Sequence, residues 1–177
     1  MTVRTNARIA GAAYLLYIAA AFPKPNVDAH IETLFTFISG ICALLLAVSL
    51  YAITREVDND IALLGLVCRV SEGVLAGAAI MTKTSAFMVG GSFFAIGSTF
   101  FCYLLYRGRL IPLWLAMVGL LGSAAMAILL PLEMAGLSTG KIVAYAWVPI
   151  GIFEVVVAVW FLIKGTYSPQ ISLNERS

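Results

Sequence analysis

The sequence predicts an all-α, polytopic membrane protein, a bundle of six transmembrane helices with both termini on the cytoplasmic side. Three observations carry that prediction. The chain has 177 residues, 62% of them hydrophobic and only 11% charged, whereas a soluble domain carries about 25% charged residues. Apolar runs of about 20 residues, enough to cross a bilayer as a helix, recur along the whole length. Basic residues are distributed unevenly between alternate connections, which orients the bundle. No connection is long enough to fold alone. Residues 1–164 are therefore expected to form one membrane domain, and residues 165–177 a polar cytoplasmic tail.

The first span is predicted from Ala7 to Phe22, after a short leader holding Arg4 and Arg8. Asn6 or Thr5 is placed to cap it, and Pro23 and Pro25 end it. A basic leader, an apolar core and Ala19-Ala20-Ala21 also resemble a secretory signal peptide. The charge asymmetry described below needs this span, so it reads as an uncleaved anchor. A polar turn from Lys24 to His30 leads to the second span, Ile31 to Ile53. Arg55-Glu56-Val57-Asp58-Asn59-Asp60 makes a charged turn into the third, Ile61 to Thr82. After Lys83 to Phe87, the fourth runs from Met88 to Tyr106 and ends at Arg107-Gly108-Arg109. Pro112 stands where a first-turn proline is tolerated and opens the fifth, Leu113 to Leu132. Gly136 to Lys141 connects to the sixth, Ile142 to Ile163.

With the N-terminus inside, the cytoplasmic segments hold Arg4, Arg8, Arg55, Arg107, Arg109, Lys164 and Arg176. The other side holds only Lys24, Lys83 and Lys141. The positive-inside rule favours that orientation. Tyr51, Tyr106, Trp114 and Trp160 then fall at the cytoplasmic interface as an aromatic belt. The expected location is a bacterial plasma membrane.

Other classes are disfavoured. A net charge of +2 without a basic cluster argues against nucleic acid. Cys42, Cys68 and Cys102 lie in apolar runs without paired spacing and read as small buried hydrophobes. The single histidine, His30, cannot build a histidine metal cluster, and no metal or cofactor is expected. Gly136 to Lys141 looks superficially like a phosphate loop but is one residue short, with Ile142 where a serine or threonine is required.

The chemistry-bearing residues sit at mid-membrane. Arg69 and Glu72 are three residues apart, hence on one helix face. At a rise of about 1.5 Å per residue they lie about 12 and 16 Å into the third span. Glu154 lies about 14 Å from the same side in the sixth. Ionised groups at that depth are costly and face the bundle interior or a partner. One arginine and two carboxylates leave a negative charge in excess if both ionise, which a low-dielectric interior disfavours. An acid beside a carboxylate is a starting point for proton transfer. The alternative is a buried Arg69–Glu154 pair that holds two helices together with Glu72 assisting, although such pairs add little stability.

Small and weakly polar residues could line a pocket beside this trio: Gly65 and Ala76 in the third span, Thr36 in the second, Ser98 and Thr99 in the fourth. The same residues also read as packing faces. Pro149 frees the carbonyl of Tyr145 near Trp147, which suggests a kink that opens a vestibule above Glu154, or a kink that only packs. Glu133, after Pro131, reads as a solvated interfacial carboxylate.

Asn6-Ala7-Arg8-Ile9-Ala10-Gly11, Cys68-Arg69-Val70-Ser71-Glu72 and Leu110-Ile111-Pro112-Leu113-Trp114-Leu115 resemble a bacterial multi-pass family catalogued as domain of unknown function 4386. The closing segment from Pro149 to Gly165, with Phe153-Glu154 and Trp160-Phe161-Leu162-Ile163-Lys164-Gly165, is similar to it too. The resemblance implies six or seven membrane helices and no assigned activity. Three functional readings stand. In the first, a membrane-embedded acid–base enzyme acts on an isoprenoid- or lipid-like substrate, with Arg69, Glu72 and Glu154 as its catalytic residues. In the second, a proton-coupled carrier of a small amphiphile uses the same carboxylates and requires a homodimer. In the third, the cluster is structural.

Overall fold

A computed structural model describes residues 2–21, 27–82, 87–137 and 140–167. These form six helices: α1 (Val3–Ala21), α2 (Ala29–Thr54), α3 (Asn59–Thr82), α4 (Phe87–Arg107), α5 (Leu113–Met134) and α6 (Gly140–Ile163). Each packs against its neighbours in the chain, and α6 returns to α1, closing a ring. Among the described residues the backbone of helix α3 packs against α2 and α4, which also touch each other, so it sits at the rim between them and reaches α1 through side chains. Five helices, α2 to α6, are long and apolar enough to cross a membrane. Helix α1, of 19 residues, falls short because Arg4, Asn6 and Arg8 occupy its first turns.

Local chemistry moves several boundaries from those the sequence predicts. The Thr2 hydroxyl accepts the Thr5 N–H at 3.2 Å, so α1 is capped four residues before Asn6. Asp28 accepts the His30 N–H at 2.8 Å as the N-cap of α2, which brings His30 into a helical turn rather than a loop. Asp58 does the same for α3 through the Ile61 N–H at 3.2 Å. Helices α5 and α6 continue through Pro131 and Pro149. Arg109 between α4 and α5 has φ 51, a left-handed conformation uncommon for a residue with a side chain.

The start of α1 and the end of α6 lie at one end, as an even number of helices requires. A methyl on Gly165 would be 3.7 Å from Arg4 Cγ. The Tyr167 N–H donates to the Leu110 carbonyl at 2.8 Å, and the Tyr167 ring meets Trp160 edge-on. The chain after α6 is therefore held against the α4–α5 turn as far as Tyr167; the rest of the expected tail lies outside the described residues. Arg107 pairs with Asp58 at 3.0 Å across the α4 end and the α2–α3 turn. Arg4, Arg8, Arg55, Arg107, Arg109 and Lys164 gather here, making this the basic end.

Hydroxyls inside the helices find partners on their own backbone, as an apolar surround demands. Thr54, Ser71, Thr99 and Ser123 each donate to the carbonyl four residues back, at 2.7 to 2.9 Å. The interior splits into two apolar clusters. The larger, toward the basic end, joins α1, α2, α4, α5 and α6 through residues such as Ala10, Leu50, Leu105, Leu115 and Phe161. The smaller, toward the opposite end, joins α4, α5 and α6 through Phe94, Met126, Leu130, Val143 and Ile150, with Tyr17 of α1 packed against it.

Candidate functional site

Arg69 and Glu72 occupy the middle of α3, and Arg69 is among the most enclosed side chains of the bundle at 1% exposure. Helical spacing brings Arg69 Nη1 to 2.7 Å from Glu72 Oε2. The contact is close without hydrogen-bond alignment. None of the three guanidinium nitrogens, nor Glu72 Oε2, has a hydrogen-bond partner among the described residues. The other carboxylate oxygen is satisfied: the Tyr17 hydroxyl of α1 donates to Glu72 Oε1 at 2.6 Å.

Aromatic faces stand where the missing acceptors would be. The guanidinium carbon lies 4.8 Å from the Phe94 ring centre and 5.4 Å from that of Tyr17. A cation against desolvated rings gains quadrupole attraction that partly offsets the loss of water. The Tyr17 and Phe94 rings are stacked at 6.2 Å, and Phe94 stacks in turn on Trp147 of α6 at 5.6 Å. An aromatic row thus crosses the ring from α1 through α4 to α6. Gly97 makes the approach of α3 to α4 possible, since a methyl there would sit 3.0 Å from Arg69 Cγ.

Glu154 of α6 is buried as well, and its Oε1 has no hydrogen-bond partner among the described residues. It lies near enough to Arg69, Glu72, Tyr14 and Cys102 to interact with them electrostatically. The alternative Arg69–Glu154 pair is absent from the ion pairs of the described residues; Arg69 pairs within its own helix instead. The reason is topological: α3 and α6 are separated in the ring and do not pack on each other. A methyl on Gly151, one turn before Glu154, would have nothing within 4 Å. The α6 face between Trp147 and Glu154 is therefore relieved of packing.

The residues expected to line a pocket divide. Trp147 joins the aromatic row. Ser98 is buried on α4, while the Thr99 hydroxyl is taken by the Ala95 carbonyl at 2.8 Å. Gly65 faces the Phe101 ring, 3.1 Å from where its methyl would be, and so serves helix packing. Ala76 packs against Gly40 of α2. Thr36, at the far end of α2, donates its hydroxyl to the Glu32 carbonyl at 3.0 Å. Tyr145 is 77% exposed and Pro149 is exposed too, so both lie on the outer face of α6 and Tyr145 does not line the interior. Glu133 is half-buried rather than solvated, with Oε2 buried and without a partner among the described residues.

Tyr14, Tyr17 and Phe94 belong to the site and were not expected in it. A signal existed for the first two: hydroxyl-bearing rings three residues apart, on the face of α1 that also carries Ala7, Ala10 and Ala13. Phe94 carries no such mark, because a phenylalanine in a span reads as lipid-facing or core. Among the described residues no group of three or more His, Cys, Asp or Glu could hold a metal ion.

No curated protein and no solved structure matches the chain. A family model does match, over residues 82–165. That stretch takes in the Leu110–Leu115 motif, Phe94, Trp147 and Glu154, and leaves α1, Arg69 and Glu72 outside it. The matching model is the one described as Domain of unknown function (DUF4386), so residues 82 to 165 are similar to that family.

Proposed function

We propose that this integral membrane protein is an enzyme that moves protons on a lipophilic, isoprenoid- or lipid-like substrate held within the helix ring, and that Glu154 is the group that gives and takes them. The observation that carries the reading is the unequal state of the two carboxylates. Glu72 is held by Arg69 at 2.7 Å and by the Tyr17 hydroxyl at 2.6 Å. Among the described residues, Glu154 has a buried oxygen with no hydrogen-bond partner, and a methyl on Gly151, one turn away, would meet nothing within 4 Å. A general acid or base must reach the atom it serves, and a carboxyl already clamped by an arginine and a phenol is poorly suited to that. Arg69 and Tyr17 keep Glu72 as a fixed counter-charge. The Phe94 and Trp147 rings supply an apolar wall for hydrocarbon. Double-bond isomerisation or cyclisation needs a proton added at one carbon and removed from another, with no further reactant.

Proton transfer to carbon leaves a mark when the solvent is D2O. Protein in nanodiscs made from total bacterial lipid extract, incubated in D2O, should introduce carbon-bound deuterium into at least one lipophilic component, read by mass spectrometry. Glu154→Gln should abolish the incorporation while retaining the folded protein, and Glu72→Gln should reduce it. Equal labelling by wild type and Glu154→Gln would remove the proposal. A carrier working through the same carboxylate would instead move substrate or protons across a proteoliposome without labelling carbon.

A further inference from the structure

The geometry points to a carbonyl as the reacting group of the substrate, with the Arg69 guanidinium as the donor that takes its oxygen. This rests on the proton-transfer reading of Glu154 and names what that reading leaves open. Arg69 carries five N–H donors in a planar fork. In the ring interior it makes an ion contact with Glu72, yet none of its nitrogens has a hydrogen-bond partner among the described residues. The Phe94 and Tyr17 rings lie beside it and offer π faces rather than oxygen or nitrogen acceptors, so its N–H donors remain for a ligand. A buried cation in this state calls for an acceptor.

Charge selects the kind of acceptor. Glu72 already neutralises Arg69, so an anionic head group would add a second uncompensated negative charge to a site that also holds Glu154. A neutral oxygen adds none. Among neutral acceptors, a carbonyl is the one whose polarisation helps a nearby carboxylate remove a proton from carbon. Glu154 takes a proton from the carbon next to the carbonyl. The C–H electron pair becomes a carbon–carbon double bond, and the carbonyl π pair moves onto oxygen, where Arg69 N–H groups hold the charge. Return of the proton from Glu154 to the same carbon gives exchange. Return to the far carbon of a conjugated system shifts the double bond. Glu154 ends as it began, and no oxidant or second reactant is consumed.

The test uses wild-type protein in nanodiscs in D2O, loaded either with 2-dodecanone or with 1-dodecene of equal chain length. Deuterium is expected at the carbons flanking the ketone at ten or more times the protein-free rate, and none in the alkene. Arg69→Gln should lose the ketone exchange and Arg69→Lys should retain part of it. Because Arg69→Gln can fail to fold, the ketone–alkene comparison on wild type stands as a test by itself. Labelling of dodecene at the same rate as dodecanone would overturn the carbonyl assignment, and so would no labelling of dodecanone. The lipid-extract experiment separates the two ideas. Labelled extract components that lack a carbonyl leave proton transfer by Glu154 in place and remove only the role given to Arg69. An extract that takes no label at all removes both.

Discussion

The two halves of the helix ring are packed differently, and the polar level lies where they meet. Toward the basic end, five helices share one core, and small residues bring backbones together. A methyl added to Gly11 of α1 would lie 2.7 Å from the Ala158 carbonyl oxygen of α6. Toward the opposite end, α2 and α3 leave the core: neither 31–39 nor 74–81 contains a buried residue. Gly90 of α4 is buried there, yet among the described residues a methyl on it would meet nothing within 4 Å. The same chain thus builds a closed half and a slack half. Between them sit Arg69, Glu72 and Glu154, enclosed from the basic side and nearest to loosely packed structure on the other. Under the proposed function, the contrast places the approach of a lipophilic substrate at the end opposite the arginines.

The strongest way to break this picture is to remove the charge at its seam. Arg69→Met leaves Glu72 as a buried carboxylate supported by Tyr17 alone, and loss of one partner of a buried pair costs about 3–5 kcal/mol. Thermal unfolding in detergent should show that loss, and the double variant Arg69→Met with Glu72→Gln should recover most of it. If the double variant is no more stable than the single, the pair is not the unit described here. Tyr17→Phe removes one charge-assisted hydrogen bond to Glu72 and should cost about 1.5–3 kcal/mol.

The packing contrast itself predicts opposite outcomes for one substitution made twice. Gly11→Ala forces a methyl onto backbone and should cost about 1–3 kcal/mol, because overpacking between fixed helices is relieved only by moving them. Gly90→Ala enters open space and should be neutral, or stabilising by up to about 1 kcal/mol from helix propensity. Equal melting shifts for the two would show that the halves do not differ. A larger probe sharpens the same point. Gly90→Leu should keep the fold yet slow deuterium incorporation, by filling the slack half next to Phe94.

What was legible in the sequence follows from what each feature depends on. Six helices, their order and the shared end of the termini are set by runs of apolar residues and by parity, which are local or countable. That Glu154 comes near Arg69 was readable from rise per residue, and the two groups do interact electrostatically. Their pairing was not readable, because it depends on ring order, and no pattern within a span says that α3 and α6 lie apart. Tyr145 was misplaced because the proline argument concerned its carbonyl, whereas its side chain follows the helix to the outer face. Gly65 and Thr99 have the small or polar character of pocket residues. Phe101 and the Ala95 carbonyl absorb that character, and neither partner can be told from spacing alone.

The smallest effect belongs to the charged contact at the basic end, where Arg107 meets Asp58 at 3.0 Å with side chains 35% and 28% exposed. It looks like the counterpart of Arg69 and Glu72, with an arginine 3.0 Å from a carboxylate on another element. Solvent and salt screen it, so it should contribute no more than about 1 kcal/mol. Arg107→Gln should shift the melting temperature slightly, by an amount that shrinks further as sodium chloride is raised. Arg69→Met, in the enclosed level, should cost nearly the same at low and high salt, since counter-ions do not reach it. A salt-independent loss at Arg107, or a salt-sensitive one at Arg69, would show that the boundary between screened and enclosed charge is drawn in the wrong place.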